Sequence, residues 1–162
     1  SELAIVKQFA KLTEYFPHFS SCNRNFHLAG SQNQSGHWCG QCPKCAFVFL
    51  ILAPFISRVQ LEQIFGANLL SDESLLPLYQ ELLGLEGIKP FECVGEVEES
   101  LWALKQLAVD PEWSGVKMIE ALVLQIDVAT TAEDFMLFEN SNKHQIPEKR
   151  QFQKVLDVFA ES

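Results

Sequence analysis

The sequence predicts a mainly α-helical single domain in which one loop is stapled by a four-cysteine zinc site. Three observations carry this. Apolar residues recur at three- and four-residue intervals along most of the chain, and no stretch alternates apolar with polar residues as a half-buried strand does. The linkers between these periodic runs are short, as they are in a single packed unit. The one long linker, residues 18–42, is rich in Ser, Asn, Gly and Gln. A loop of that length is uncommon in a compact domain unless something ties it down. Four of the five cysteines, Cys22, Cys39, Cys42 and Cys45, lie in it or just beyond it.

The elements follow in order. Leu3, Val6, Phe9, Leu12 and Phe16 share one helical face, which predicts a helix over residues 2–16 that Pro17 ends. Pro43 is a favoured first-turn residue and opens a helix through "AFVFLILA", Ala46–Ala53, towards Pro54. That helix is apolar on nearly all sides, so it belongs at the centre of the core. Ser57 caps a helix that ends near Phe65–Asn68. Ser71 or Asp72 caps the next, whose buried stripe is Leu75, Leu78, Tyr79, Leu82 and Leu83. Gly84 and Gly87 stop it, and Gly87–Glu96 is a nonhelical connector. A helix from Glu96 to about Val109 turns Val97, Leu101, Leu104 and Leu107 inward. Another starts at Ser114 and runs to about Ile126. Thr131 is a weak helix start, and Pro147 opens a last helix with Phe152, Val155, Leu156 and Phe159 inside.

Bulk composition narrows the function classes. A chain of 162 residues, 48% hydrophobic and 20% charged, is long enough to bury one real core. The net charge of −9 opposes a nucleic-acid module, which needs a basic face to neutralise phosphates. The charge is unevenly spread. Residues 1–58 carry five Lys/Arg against two acids, net +3, and the remainder carries seven against nineteen, net −12. His18, His27 and His37 also lie in the first part, so a small anionic ligand is expected near the cysteines. The most apolar run has eight residues before Pro54, far short of the ~20 a membrane span requires. No window resembles a secretory signal, which points to a cytoplasmic setting in which thiols stay reduced. Clustered cysteines there bind metal more often than they form disulfides.

The spacing is Cys22, sixteen residues, then Cys39-Gly-Gln-Cys42-Pro-Lys-Cys45. Two residues between cysteines let a tight turn aim both sulfurs at one point. Gly40 lets the backbone fold back close to a sulfur. Cys45, in the first turn of a helix, presents its sulfur near the positive helix end, where a thiolate is favoured. Four thiolates in a reducing compartment suit zinc. Such a closed site leaves no position for water, so its role is structural. Alternatives are an iron–sulfur cluster, in which successive C-x-x-C steps also occur, and a redox pair beside two buried free thiols. Trp38, next to Cys39, is expected to shield the metal. Trp102 and Trp113 are expected to pack in the core or as a cap over it.

Ser1–Ala10, Ser21-Cys22 and the Cys39, Gly40, Cys42, Cys45 motif resemble the C-terminal part of the PP-loop ATP pyrophosphatase superfamily, in which the queuosine-pathway deazaguanine synthases carry a similar zinc motif. "SCNRNFH", "WCGQCPKCAFVFLILAPF" and "GLEGIKPFECVGEVEES" look most like the MurL family, UDP-N-acetylmuramoyl-L-alanyl-L-glutamate epimerases of bacterial peptidoglycan synthesis. The likeness extends from Ser1 to about Leu107. It implies that ATP adenylates the terminal L-glutamate carboxylate, that the activated α-carbon loses and regains its proton with inversion, and that hydrolysis releases AMP. The superfamily's Ser-Gly-Gly-x-Asp-Ser type loop is absent; Gly30-Ser31 and Ser35-Gly36 do not reproduce it. Residues 1–162 are therefore expected to be a single zinc-binding C-terminal domain of a longer polypeptide. ATP, with Mg²⁺, would be held mainly by an upstream half of the same chain, and this piece alone would be inactive. The expected partners are a UDP-linked muramoyl dipeptide and that upstream domain, with no nucleic acid and no membrane.

Beyond the metal ligands, Asn23, Arg24, Asn25 and His27 crowd next to Cys22 and are candidates for substrate binding. A bound metal would hold that backbone rigid, and Arg24 suits a carboxylate or phosphate. Glu92 and Cys93, on the nonhelical connector, are candidates for proton transfer at the α-carbon, which can use one group on each face. Glu96, Glu98 and Glu99 have a simpler role as acids in the first turn of a helix. Two other readings stay open: a zinc-stapled interaction domain without catalysis, and a PP-loop synthase acting on a different adenylated carboxylate.

Overall fold

The computed structural model describes residues 1–25, 37–91 and 93–126. Among these residues the regular structure is entirely helical, as predicted: α1 (Glu2–Phe9), α2 (Pro43–Leu52), α3 (Arg58–Phe65), α4 (Leu76–Leu82), α5 (Val97–Val109) and α6 (Lys117–Val123), with short 3₁₀ turns in three of the connections. The helices predicted after Thr131 and Pro147 lie outside the described residues.

Helix α2 is the central element. Pro43 sits in its first turn, and every residue from Cys45 to Leu52 is buried. Helices α1, α3, α4 and α5 pack around it, and α6 packs on α5. An element with no polar face must be enclosed on all sides, and this ring of helices encloses it. No helix among the described residues is long and apolar enough to cross a membrane.

Several boundaries differ from the sequence expectation. The first helix ends at Phe9 and not at residue 16. The chain turns back through a 3₁₀ turn at Thr13–Tyr15, and Phe9 meets Phe16 at 5.5 Å and Phe19 at 4.6 Å between ring centroids. Closing that aromatic cluster outweighs the helical periodicity, and Leu12 is left exposed. Ser57 caps α3 in a full capping box with Gln60, and Gly66 ends it in the left-handed region. Asp72, not Ser71, makes the next side-chain cap, through a 3₁₀ turn at Glu73–Leu75 that leads into α4. Ser114 does not open α6. It follows the 3₁₀ turn Pro111–Trp113, and α6 starts three residues later without a side-chain cap. Trp113 is buried as expected, and Trp102 stacks on Phe55 at 5.8 Å.

Candidate metal centre

The four predicted cysteines converge. Cys42 is the residue immediately before α2, in extended conformation, and Cys45 lies in the first turn of that helix. Gly40, at φ +68°, reverses the chain so that Cys39 faces them. Cys22 arrives from the other side of the loop. The Sγ atoms of Cys22 and Cys42 are 3.9 Å apart, those of Cys39 and Cys45 3.7 Å, and those of Cys42 and Cys45 3.4 Å. All four lie within 4.8 Å of one another. Sulfurs bound at about 2.3 Å to one tetrahedral ion are separated by about 3.8 Å. The spacing therefore fits a single ion held by all four, and none of these cysteines is in a disulfide.

The surroundings suit thiolates. Cys22, Cys42 and Cys45 are buried and Cys39 is half-buried. Backbone N–H groups donate to the sulfurs, among them Cys39 N–H to Cys22 Sγ at 3.4 Å and Gln41 N–H to Cys39 Sγ at 3.5 Å. Without a metal Cys39, Cys42 and Cys45 hold their protons unequally. The hydrogen bond shared with Cys45 lowers Cys42 to about 4. The same bond, with burial behind it, pushes Cys45 far above the ordinary thiol range. Burial also raises Cys39. Cys42 is thus the sulfur readiest to meet a cation, and ligation at Cys39 and Cys45 would displace their protons.

Side chains clip the two arms of the loop together. The Ser20 hydroxyl donates to the carbonyl oxygen of His37 at 2.5 Å and accepts the Cys22 N–H at 3.3 Å. Asn25 Nδ2 donates to the same His37 carbonyl, and Arg24 Nη1 donates to Gln41 Oε1 at 3.3 Å. Asn23, Arg24 and Asn25 form one 3₁₀ turn directly after Cys22, with Asn23 and Arg24 exposed. These three candidates are therefore mounted on the centre, as the sequence implied. His27 lies outside the described residues, as does Glu92.

Cys93 is exposed. Its carbonyl oxygen accepts a hydrogen bond from Lys44 Nζ, one residue before Cys45. The connector is in this way tied to the first turn of α2, a link the sequence reading missed because Lys44 and Cys93 lie 49 residues apart. Ser20 was also missed, although a Ser two residues before a ligand cysteine is a recognisable local cap. Trp38 is buried and packs between Phe19, at 5.1 Å, and Phe65, at 4.5 Å, which joins the cysteine loop to α3.

Residues 18–136 match the family model of the MurL C-terminal domain, which takes in all four clustered cysteines and the 87–96 connector. The chain belongs to that family. It is 45% identical over 150 residues to a UDP-N-acetyl-alpha-D-muramoyl-L-alanyl-L-glutamate epimerase of Xanthomonas oryzae pv. oryzae, covering 91% of this chain and 33% of that protein. A Micromonospora protein of the same name is 44% identical over 152 residues, again covering 91% of this chain and 33% of its own length. One from Salinispora tropica is 49% identical over 123 residues, covering 76% of this chain and 26% of the relative. The chain thus spans about a third of the length of these MurL-family relatives. No solved structure matches it significantly.

Proposed function

We propose that this chain is the zinc-bearing C-terminal part of an ATP-dependent epimerase that inverts the terminal L-Glu of UDP-MurNAc-L-Ala-L-Glu through an acyl-adenylate. The observation that carries this reading is membership of the MurL C-terminal domain family, with 44–49% identity to relatives named as that epimerase. Residues 1–162 form one domain in this reading. ATP and Mg²⁺ are held by an upstream half of the same polypeptide, in keeping with the third of the relatives' length that this chain spans. A UDP-linked precursor and free thiols both fit a cytoplasmic setting.

The chemistry requires activation. The α-proton of a carboxylate is barely acidic, because its removal puts a second negative charge beside the first. Transfer of AMP from ATP to a carboxylate oxygen, with release of pyrophosphate, removes the charge and makes the carbonyl an electron sink. A base then takes the α-proton from one face, and an acid returns a proton to the other. Water adds to the acyl carbon and expels AMP. Cys93 and Glu92 are the groups we assign to proton movement, and Arg24, with Asn23, Asn25 and His27, to holding the anionic substrate.

Zinc is the ion we assign to Cys22, Cys39, Cys42 and Cys45. Support comes from the all-sulfur donor set and from separations that fit one tetrahedral ion. With its four positions taken by protein, the ion supplies folding energy and a rigid mount for the Asn23–Asn25 turn.

The test is made on the polypeptide that includes the upstream half. UDP-MurNAc-L-Ala-L-Glu and ATP are supplied in D₂O, and AMP, configuration and deuterium are followed. Inversion with one deuterium at the glutamyl α-carbon is expected. AMP formation with a new amide or cyclised product would reassign the protein as a synthase. No ATP consumption would leave a zinc-stapled interaction domain.

A further inference from the structure

The connector between α4 and α5 carries apolar side chains of two kinds. Leu85 and Val94 pack against the core, whereas Ile88 is 88% exposed and Phe91 is fully exposed. A lone apolar residue at the surface is ordinary, but two on one tethered loop form a patch. The tethers are on both sides of Phe91. Lys89 pairs with Glu96 at 3.1 Å, and Lys44 Nζ donates to the Cys93 carbonyl. Gly95 lies so close to the core that an added Cβ would stand 2.6 Å from Phe47 Cζ. Side chains presented on a backbone already held in place lose little freedom on docking. The loop also lies at the end of the domain where α1 starts. A Cβ on Gly95 would be 3.2 Å from Glu2 Cγ, and Glu99 accepts the Leu3 N–H. Phe91 precedes Gly95 by four residues, so the two backbones are within about 14 Å of each other. One turn along α1 from Ser1, Ile5 is 56% exposed and adds apolar surface to this end.

We propose that Ile88 and Phe91 are the contact on which the upstream part of the same polypeptide docks. The inference rests on the reading of this chain as the C-terminal part of a longer epimerase. The chain covers 33% of the Xanthomonas relative and matches a C-terminal domain model, so the larger part of such a protein precedes a segment like this one. In that reading the upstream part runs into Ser1, beside the connector. It reaches Ile88 and Phe91 without a long linker, and a tethered partner meets a nearby patch at high effective concentration. A second copy of the chain has no such advantage. The placement also has a chemical consequence. The connector and the metal centre share the first turn of α2, through Lys44 and Cys45. An ATP-holding part seated on Ile88 and Phe91 lies beside the exposed Cys93, so the activated carboxylate is handled in the seam between the two parts.

The experiment uses the polypeptide that includes the upstream part, with a photoreactive benzophenone amino acid in place of Phe91. Irradiation should give a crosslink within one chain, mapped by mass spectrometry to a peptide that precedes Ser1. Any other target overturns the proposal. A peptide from within residues 1–162 would make the domain its own cover, a crosslinked dimer would make the occupant a second copy, and no protein crosslink would leave the patch in solvent. Hydrogen exchange gives an independent readout. The amides of residues 89 and 91 should be protected in the wild-type polypeptide. Ile88→Asp combined with Phe91→Asp puts two charges into the seam at exposed positions. It should speed that exchange about 10- to 100-fold after correction for intrinsic rates, while the amides of α2 keep their protection. Equal exchange in the two proteins overturns the docking. Because neither measurement reads turnover, the two ideas fail separately. Epimerisation by a polypeptide with no upstream crosslink keeps the function and removes the interface. An upstream crosslink in a polypeptide that does not epimerise does the reverse.

Discussion

Leu3 and Glu99, 96 residues apart, are joined by a buried hydrogen bond from the Leu3 N–H to Glu99 Oε1 at 3.1 Å. The second carboxylate oxygen accepts the Glu96 N–H at 2.9 Å. One side chain thus closes the first turn of α1 and the first turn of α5, where backbone donors have no helical partner. Glu99 is 3% exposed, so these bonds account for a charged group that would otherwise be buried alone. Glu99→Gln keeps one acceptor and turns an amide NH₂ towards the other N–H. Chemical denaturation should show a loss of about 1–3 kcal/mol. A change below ~0.5 kcal/mol would mean that water replaces the carboxylate. Gly95→Ala should be similarly harmful, because the added Cβ would lie on Glu99 Oε2 and 2.6 Å from Phe47 Cζ.

Tyr79 supplies the opposite case. It is fully buried, and its hydroxyl has no hydrogen-bond partner. Burial above all pushes its ionisation above the ordinary phenol range, with a smaller contribution from negative charge at Asp72. Tyr79→Phe removes an unpaired polar atom and leaves the ring packing intact. The variant should be as stable as the wild type or more stable by about 1 kcal/mol. A loss greater than that, in the same denaturation experiment, would reveal an acceptor for the hydroxyl.

Much of this architecture is legible from local chemistry. Pro43 and the apolar run after it mark α2, and Ser57 followed by Gln60 marks the start of α3. The four-cysteine cluster follows from spacing, because two-residue separations restrict where sulfurs can point. Long-range choices are not legible. Leu12 continues the periodicity of α1 yet ends exposed, since the Phe9, Phe16 and Phe19 rings draw the chain back. Glu99 reads as a dipole-matching surface acid, and only the approach of α1 makes it a buried cap. Lys44 reads as a spacer between ligands, and only the return of the connector gives it the Cys93 carbonyl.

The zinc assignment predicts about one zinc per chain by elemental analysis and an all-sulfur shell at about 2.3 Å by X-ray absorption. A brown chromophore would replace zinc by an iron–sulfur cluster. Cys42→Ser should lose the metal. It should also unfold the loop around Cys22–Cys45, because binding energy of a structural ion is folding energy. Retention of stoichiometric zinc and unchanged thermal stability in this variant would refute the four-ligand site.

Acid should release the metal. Cys45 and Cys39 hold their protons above the ordinary thiol range when no ion is bound, and ligation displaces those protons. Lower pH raises the proton concentration that competes with the ion, so affinity must fall as pH falls. Competition with a chromophoric chelator, corrected for the chelator's own protonation, should show apparent affinity dropping by more than tenfold per pH unit from about pH 8 to pH 6, since more than one proton is displaced. Cys42, lowered to about 4, adds little to this slope above pH 6. A flat profile would mean that the thiols are not the ligands.

In the longer polypeptide, the candidate site residues should separate by kinetic signature. Arg24 is exposed beside the centre and can meet an anionic group of the substrate. Arg24→Ala should raise KM by about 10- to 100-fold, the worth of one charge-assisted hydrogen bond, with kcat little changed. Cys93→Ser or Glu92→Gln should lower kcat by about 10²- to 10⁴-fold if that residue moves the α-proton. ATP-dependent adenylation, read by pyrophosphate exchange, should persist. Lys44→Met removes the bond to the Cys93 carbonyl without touching a metal ligand. Zinc content should be unchanged, and turnover should fall if the connector carries the proton-transfer group proposed above. If Cys93→Ser, Glu92→Gln and Lys44→Met all retain full turnover, the connector serves packing alone and the α-proton is handled by the upstream half.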